Sequence, residues 1–238
     1  TGLGNEAINI ADLGTVITSS DLADIDALTT GNVTVSVSGT SVTASSLNSL
    51  DVNSTETINA GGITTITGAV TDINTAYAAT GISGLGNEAI TLTDTSASAS
   101  ALTTLDGNTS GTIDANTVTT LTGSTADITS LTQSTGITFG TNVGGTINDV
   151  SVSATALNTL DTLAGGTLNA SSVKTITGSG TDALTAFESS GISGLTFDAS
   201  NYLASYTDLL AAFGDDLGIA RVHYFDFGVD EGRSFDSF

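Results

Sequence analysis

The chain has 238 residues, with 25 acidic side chains against 3 basic ones and a formal net charge of -22. That balance excludes a nucleic-acid footprint and docking on an anionic membrane, both of which need clustered Lys and Arg. There is no Cys, Pro, Met or Trp. Disulfides and thiolate metal sites are therefore excluded, and no run approaches the roughly 20 apolar residues of a membrane helix.

Taken from the start, Thr1 carries no initiator Met and no signal peptide, which reads as a processed chain or a piece of a larger one. Gly2-Leu3-Gly4-Asn5-Glu6-Ala7-Ile8 returns residue for residue as Gly84-Leu85-Gly86-Asn87-Glu88-Ala89-Ile90. A second period then takes over. Thr65-Ile66-Thr67-Gly68 returns as Thr120-Leu121-Thr122-Gly123 and, after an equal interval, as Thr175-Ile176-Thr177-Gly178. Leu50-Asp51, Leu105-Asp106 and Leu160-Asp161 keep the same step, as do Asp72, Asp127 and Asp182. A fixed period of this kind marks a repeat architecture, in which each unit buries its apolar residues against its neighbours.

Within each 55-residue unit the pattern is double. Polar-apolar-polar strand signals centre on Ile10, Val37, Ile66, Leu92, Leu121, Ile147 and Ile176, at steps alternating between about 26 and 29 residues. A second series runs through Ile58, Ile82, Ile113, Ile137, Leu168 and Ile192. Between them, segments such as Ser46–Leu50, Ala101–Leu105 and Ala156–Leu160 place two Leu three apart, as a helix of one or two turns does. The expected fold is mainly β. It is a parallel β-solenoid over residues 1–196 with short helical turns in a 55-residue double-coil repeat.

From Phe197 the composition changes. Nine of the twelve aromatic residues, Arg221, Arg233 and the single histidine, His223, lie in residues 197–238. Tyr202 to Phe213 has helical spacing with Gly214 as its stop, and Leu217 to Phe227 reads as a second helix ended by Gly228. The expectation is a small α-helical module capping the repeat and taking part in assembly. The run Tyr202-Leu203-Ala204-Ser205-Tyr206-Thr207-Asp208-Leu209-Leu210-Ala211-Ala212-Phe213-Gly214 is followed by His223-Tyr224, Gly228 and Glu231-Gly232-Arg233. Together they resemble a short module of large secreted bacterial proteins. The repeat resembles the Thr/Ser/Asp-rich strand repeats of cyanobacterial and other bacterial giant surface proteins. These resemblances imply a secreted, cell-surface or extracellular-matrix location and no catalytic residues.

Three features carry candidate chemistry. The columns Asp51/Asp106/Asp161 and Asp72/Asp127/Asp182 are oxygen-rich and would suit Ca²⁺. The same residues suit helix caps, and the Gly-Gly-x-Gly-x-Asp calcium repeat is absent, so weak multi-site Ca²⁺ uptake is the most expected. Thr-x-Thr strands at Thr65/Thr67, Thr91/Thr93, Thr120/Thr122 and Thr175/Thr177 would present hydroxyl ranks to a glycan or to ice, although Thr is equally a plain strand former. The third feature is assembly. Gly2 and Leu3 enter the repeat register at once, leaving an uncapped end to meet Tyr202, Tyr206, Phe213, Tyr224 and Phe227 of a neighbouring copy. The functional expectation is a non-enzymatic structural protein of an extracellular filament, sheath, surface layer or adhesin, polymerising head-to-tail without a cofactor. The alternative is a ligand-binding solenoid that takes up glycan, Ca²⁺ or ice.

Overall fold

The computed structural model describes residues 7–10, 34–54 and 56–235. Gly2 and Leu3 lie outside this range. The architecture is α/β, and this corrects the expectation of a mainly-β solenoid. Among the described residues nine α-helices are interspersed with sixteen short strands, and the paired strands run parallel. The β-solenoid description, and the filament and adhesin roles attached to it, therefore lose their structural basis. The strands are short, at two to four residues, whereas the repeat helices run to eight to ten.

The elements follow the chain as β1 (Ala7–Ile10), β2 (Thr34–Val37), β3 (Ser41–Thr43), α1 (Ala44–Asn53), β4 (Ile58–Asn59), β5 (Thr65–Gly68), α2 (Val70–Ala78) and β6 (Ile82–Ser83). Next come β7 (Ala89–Leu92), β8 (Ser96–Ser98), α3 (Ala99–Asn108), β9 (Ile113–Ala115), β10 (Thr120–Gly123), α4 (Thr125–Thr132) and β11 (Ile137–Phe139). Then follow β12 (Gly144–Ile147), β13 (Ser151–Ser153), α5 (Ala154–Leu163), β14 (Leu168–Asn169), β15 (Thr175–Thr177), α6 (Gly180–Glu188) and β16 (Ile192–Ser193). The chain ends with α7 (Ala199–Ser205), α8 (Thr207–Phe213), α9 (Leu217–His223) and a π-helical turn at Tyr224–Gly228.

Two compact units result. The first comprises Thr1–Val118 and Thr135–Gly140, the second Thr119–Ser134 and Thr141–Phe238. In the first, one parallel sheet has the order β1-β2-β4-β6 and another the order β11-β9-β7-β5-β3. In the second, β10, β12, β14 and β16 are successive neighbours, and β13 pairs with β15. Ser41 faces Thr65, and Thr65 faces Ala89, so these two ladder steps are equal, whereas the step from Ala7 of β1 to Thr34 of β2 is longer. The alternating rung lengths expected from the sequence are thus corrected. Ile66 pairs with Val42 and Ile90, not with Val37 and Leu92. Two ladder steps fall short of one repeat period by the offset between adjacent strand starts, such as Ala89 and Ser96 or Gly144 and Ser151. Equivalent strands of successive repeats therefore fall in different sheets.

The helices form because every third residue is buried. The buried sets are Ala44, Leu47 and Leu50 in α1, Val70, Ile73 and Ala76 in α2, and Ala99, Leu102 and Leu105 in α3. Those of α4 and α5 are Thr125, Ile128 and Leu131, then Ala154, Leu157 and Leu160. Their Ser-, Thr- and Asn-rich sequences have modest helix propensity, so neighbouring packing rather than local preference holds them. Apart from α2, each repeat helix starts at a capping hydroxyl. Thr43, Ser98, Ser124, Ser153 and Ser179 accept the backbone N–H three positions on. Among the described residues no helix is long and apolar enough to cross a membrane.

Amide side chains tie neighbouring helices together. Asn48 Nδ2 of α1 donates to the Asp72 carbonyl of α2 at 2.9 Å, and Asn158 Nδ2 of α5 does the same to the Asp182 carbonyl of α6 at 2.9 Å. Replacing Asn158 by Ala should lower stability to urea by about 1 kcal/mol, the net worth of one hydrogen bond. An exposed change such as Ser49→Ala should stay within about 0.5 kcal/mol.

Candidate functional site

The two Asp columns sit at opposite ends of their helices. Asp51, Asp106 and Asp161 occupy the last turns of α1, α3 and α5, whereas Asp72, Asp127 and Asp182 occupy the first turns of α2, α4 and α6. The first column closes against glycine. A methyl group on Gly81, Gly136 or Gly191 would overlap Oδ1 of Asp51, Asp106 or Asp161 respectively. Ser189 Oγ also donates to Asp161 Oδ2 at 2.6 Å. The second column lies beside helix N-termini, where a negative charge is favoured. Asp127 N–H donates to Ser124 Oγ while that hydroxyl donates back to Asp127 Oδ2 at 2.7 Å. Among the described residues no group of three His, Cys, Asp or Glu gathers to hold a metal ion.

Two further carboxylates escaped the sequence reading, although Asp94 and Asp149 are separated by one repeat period, as are Asp72 and Asp127. Asp94 Oδ2 accepts the Val70 N–H at 2.7 Å, capping α2, whose own preceding residue Ala69 has no capping side chain. Asp149 Oδ2 accepts both the N–H and the hydroxyl of Thr125, at 2.6 and 2.7 Å. In each case the cap comes from the turn between two strands, β7 and β8 or β12 and β13, one ladder step further along the chain.

Glu88 was also missed, despite standing in the Gly84–Ile90 motif that the sequence repeats. It is fully buried. Its Oε2 accepts from the Tyr77 hydroxyl at 2.6 Å and from the Gly86 and Asn87 N–H groups at 2.8 and 3.1 Å. Its Oε1 has no hydrogen-bond partner among the described residues. The carboxylate thus fixes the Gly-rich loop to α2. Glu88→Ala would leave three donors without their acceptor and should cost about 2–4 kcal/mol in a denaturant titration. Glu88→Gln retains an acceptor and should cost less.

The Thr-x-Thr strands do not form paired ranks. Thr67 faces Thr43 and Thr91, but Thr91 then faces Asp114. The parallel rank is broken where Thr65 faces Ala89. Thr120 faces Gly144 and Thr175 faces Ser151, while Thr93 lies beyond the end of β7. The Asn59, Asp114 and Asn169 side chains each accept the N–H two positions on, closing turns.

In residues 197–238, Tyr202 and Tyr224 are wholly buried. They form the module's core, in stacked, tilted or edge-on contact with Phe197, Phe225 and one another. Phe187 of α6 meets Tyr224, Phe225 and Phe235 edge-on, and Phe235 N–H donates to the Lys174 carbonyl at 3.1 Å. Gly180 permits this seam, since a methyl group there would overlap the Phe225 carbonyl. Tyr206 is half-buried beneath Arg233, whose guanidinium lies 4.6 Å from the ring centre and pairs with Asp208 and Glu231. Phe213 is half-buried beside His223, whose Nδ1 is 3.0 Å from the Tyr202 hydroxyl. Of the five aromatic residues expected at an interface, only Phe227 is largely exposed, at 58%. It is joined at the surface by Leu217, Ile219 and Val222 of α9. The expected single helices are each divided: α7 and α8 meet at Tyr206, and α9 gives way to the π-helical turn.

No family model, curated protein or solved structure matches the chain. The reading of its function therefore rests on its own geometry.

Burial pushes the phenols of Tyr77, Tyr202 and Tyr224 well above their ordinary value, and at Tyr77 the hydrogen bond to Glu88 adds to the effect. The folded state keeps these protons while the unfolded chain releases them near pH 10. Their contribution to stability is thus complete below that pH and falls as pH rises above it. An alkaline titration should show the ionisation of these tyrosines appearing together with loss of near-ultraviolet circular dichroism, rather than before it.

Proposed function

We propose that this chain is a non-enzymatic structural protein of the extracellular space, located at a cell surface or in a secreted matrix, with a second copy of itself as its partner. The observation that carries this reading is the employment of its polar side chains. Asn48, Asn158, Asp94 and Asp149 each bind a backbone group of a neighbouring repeat step. Asp51, Asp106 and Asp161 close against glycines of the next step. Side chains of the types that elsewhere do chemistry are here occupied in joining repeats. The net charge of -22 keeps such a chain soluble.

Self-association draws support from the exposed apolar side chains Leu217, Ile219, Val222 and Phe227 of the terminal module. The buried Tyr202 and Tyr224 are left out of any such contact. Two measurements test the reading. Antibody labelling of source cells should place the chain outside the cytoplasm, and a cytoplasmic signal would overturn it. Light scattering should show mass rising with concentration, with Val222→Asp and Phe227→Asp together holding the protein monomeric. A wild-type mass that stays that of one chain up to millimolar concentration would remove the self-association.

A further inference from the structure

An open groove of about 680 Å³ lies between α4 and α5 alongside β13, within the second unit. Small-molecule sites commonly enclose about 300–1,000 Å³. The internal repeat shows how it arises. One repeat period earlier the corresponding place between α2 and α3 is bridged. There Asn74 Nδ2 donates to the Ala101 carbonyl at 2.9 Å, and Asn74 Oδ1 accepts from Asn108 Nδ2 at 3.2 Å. Thr129 and Leu163 stand in the places of Asn74 and Asn108. The shorter Thr129 side chain donates to the Thr125 carbonyl of its own helix at 2.7 Å, and Leu163 is 46% exposed. The bridge is lost and the space between the helices stays open.

The chemistry of the walls narrows the occupant. The hydroxyl protons of Thr125, Thr129, Thr155 and Thr159 are already donated to Asp149, the Thr125 carbonyl, Asp182 and the Thr155 carbonyl. What these threonines still offer is acceptor lone pairs, joined by Oδ1 of Asp149, while the Ser130, Ser151 and Ser153 hydroxyls of the same walls can donate as well as accept. No Lys, Arg or His lines the groove, so an anion finds no cation to pair with and is opposed by Asp149 and the field of an acidic protein. One carboxylate is too few for a hard divalent cation, which seeks six to eight oxygens. Ala126, Val152 and Ala156 add apolar surface. A ligand with a row of hydroxyl donors and an apolar C–H face meets all of these conditions.

We propose that the groove between α4 and α5 binds a short neutral saccharide, with its hydroxyls donating to Asp149 and to the threonine oxygens and its C–H face resting on Val152 and the alanines. This site is separate from the structural role above, and its failure would leave the inter-repeat bonds as they are. The test is a titration of ¹⁵N-labelled protein with cellotriose, maltotriose and mannotriose, with trigalacturonate as the anionic control. At least one neutral trisaccharide should give saturable shifts at the amides of Ser151, Thr155 and Thr159, and trigalacturonate should give none. Thr129→Asn, which restores the bridging amide, should weaken binding roughly tenfold or more, while Thr129→Ser stays within about threefold. The same spectra show whether each variant is folded. Absence of saturable shifts up to about 20 mM of all three neutral sugars would overturn the proposal. So would shifts confined elsewhere on the chain, or a folded Thr129→Asn variant that binds as the wild type does.

Discussion

The parallel pairing of each strand with one a single step along the chain, as Ser41 with Thr65 and Thr65 with Ala89, is the constraint on which the remaining structure depends. Each such step must hold a strand, its exit, a helix and the return. Each helix has little to hold it except the apolar face it presents every third residue. The strands are too short to stand alone, and the helices too poor in strong helix formers. The ladder joins the strands and thereby places the helices side by side. Their buried Leu, Ile and Ala residues then complete what the backbone bonds begin.

Parallel connections leave many backbone groups at helix starts and turns, and the chain meets them with short polar side chains. Ser and Thr cap helices from the preceding residue, whereas Asp94 and Asp149 cap them from the next step. Asn48, Asn74 and Asn158 span from helix to helix. This explains how a sequence with so few large apolar residues keeps order: hydrogen bonds between steps supplement a narrow core. It also makes each step individually adjustable. Exchange of Asn74 for Thr129 between copies removes two bridging bonds and opens a groove, without altering the strands on either side.

The terminal module is built on a different principle. Its core is aromatic, centred on Tyr202, Tyr224 and Phe197, and it adheres to α6 through Phe187 and Phe235. Ring packing of this kind contributes area and directional contacts beyond those of aliphatic side chains. Arg233 holds the outer side by covering Tyr206 and pairing with Asp208. The hydrogen bond from Arg233 keeps the Asp208 carboxyl below its ordinary range. The stability it lends is present above that range and fades as pH falls through the lowered value.

Several features were legible in the sequence itself. The repeat period, the Leu pairs of the helices and the Gly214 stop all follow from local spacing. The balance of helix over strand did not, because Ser- and Thr-rich stretches favour neither strongly, and burial against a neighbour decides between them. Nor did strand partners. Ile66 has apolar candidates on both sides at either register, Val37 or Val42 before it and Leu92 or Ile90 after it. Adjacent strand sites such as these carry nearly the same pattern, so periodicity alone cannot separate them. The choice belongs to the path of the backbone between strands. Glu88, Asp94 and Asp149 acquire their roles only from that choice, since each binds a residue brought near by the ladder or by helix packing. Sequence determines what repeats here; which residues meet depends on long-range hydrogen bonding, a property of the assembled backbone rather than of any local segment.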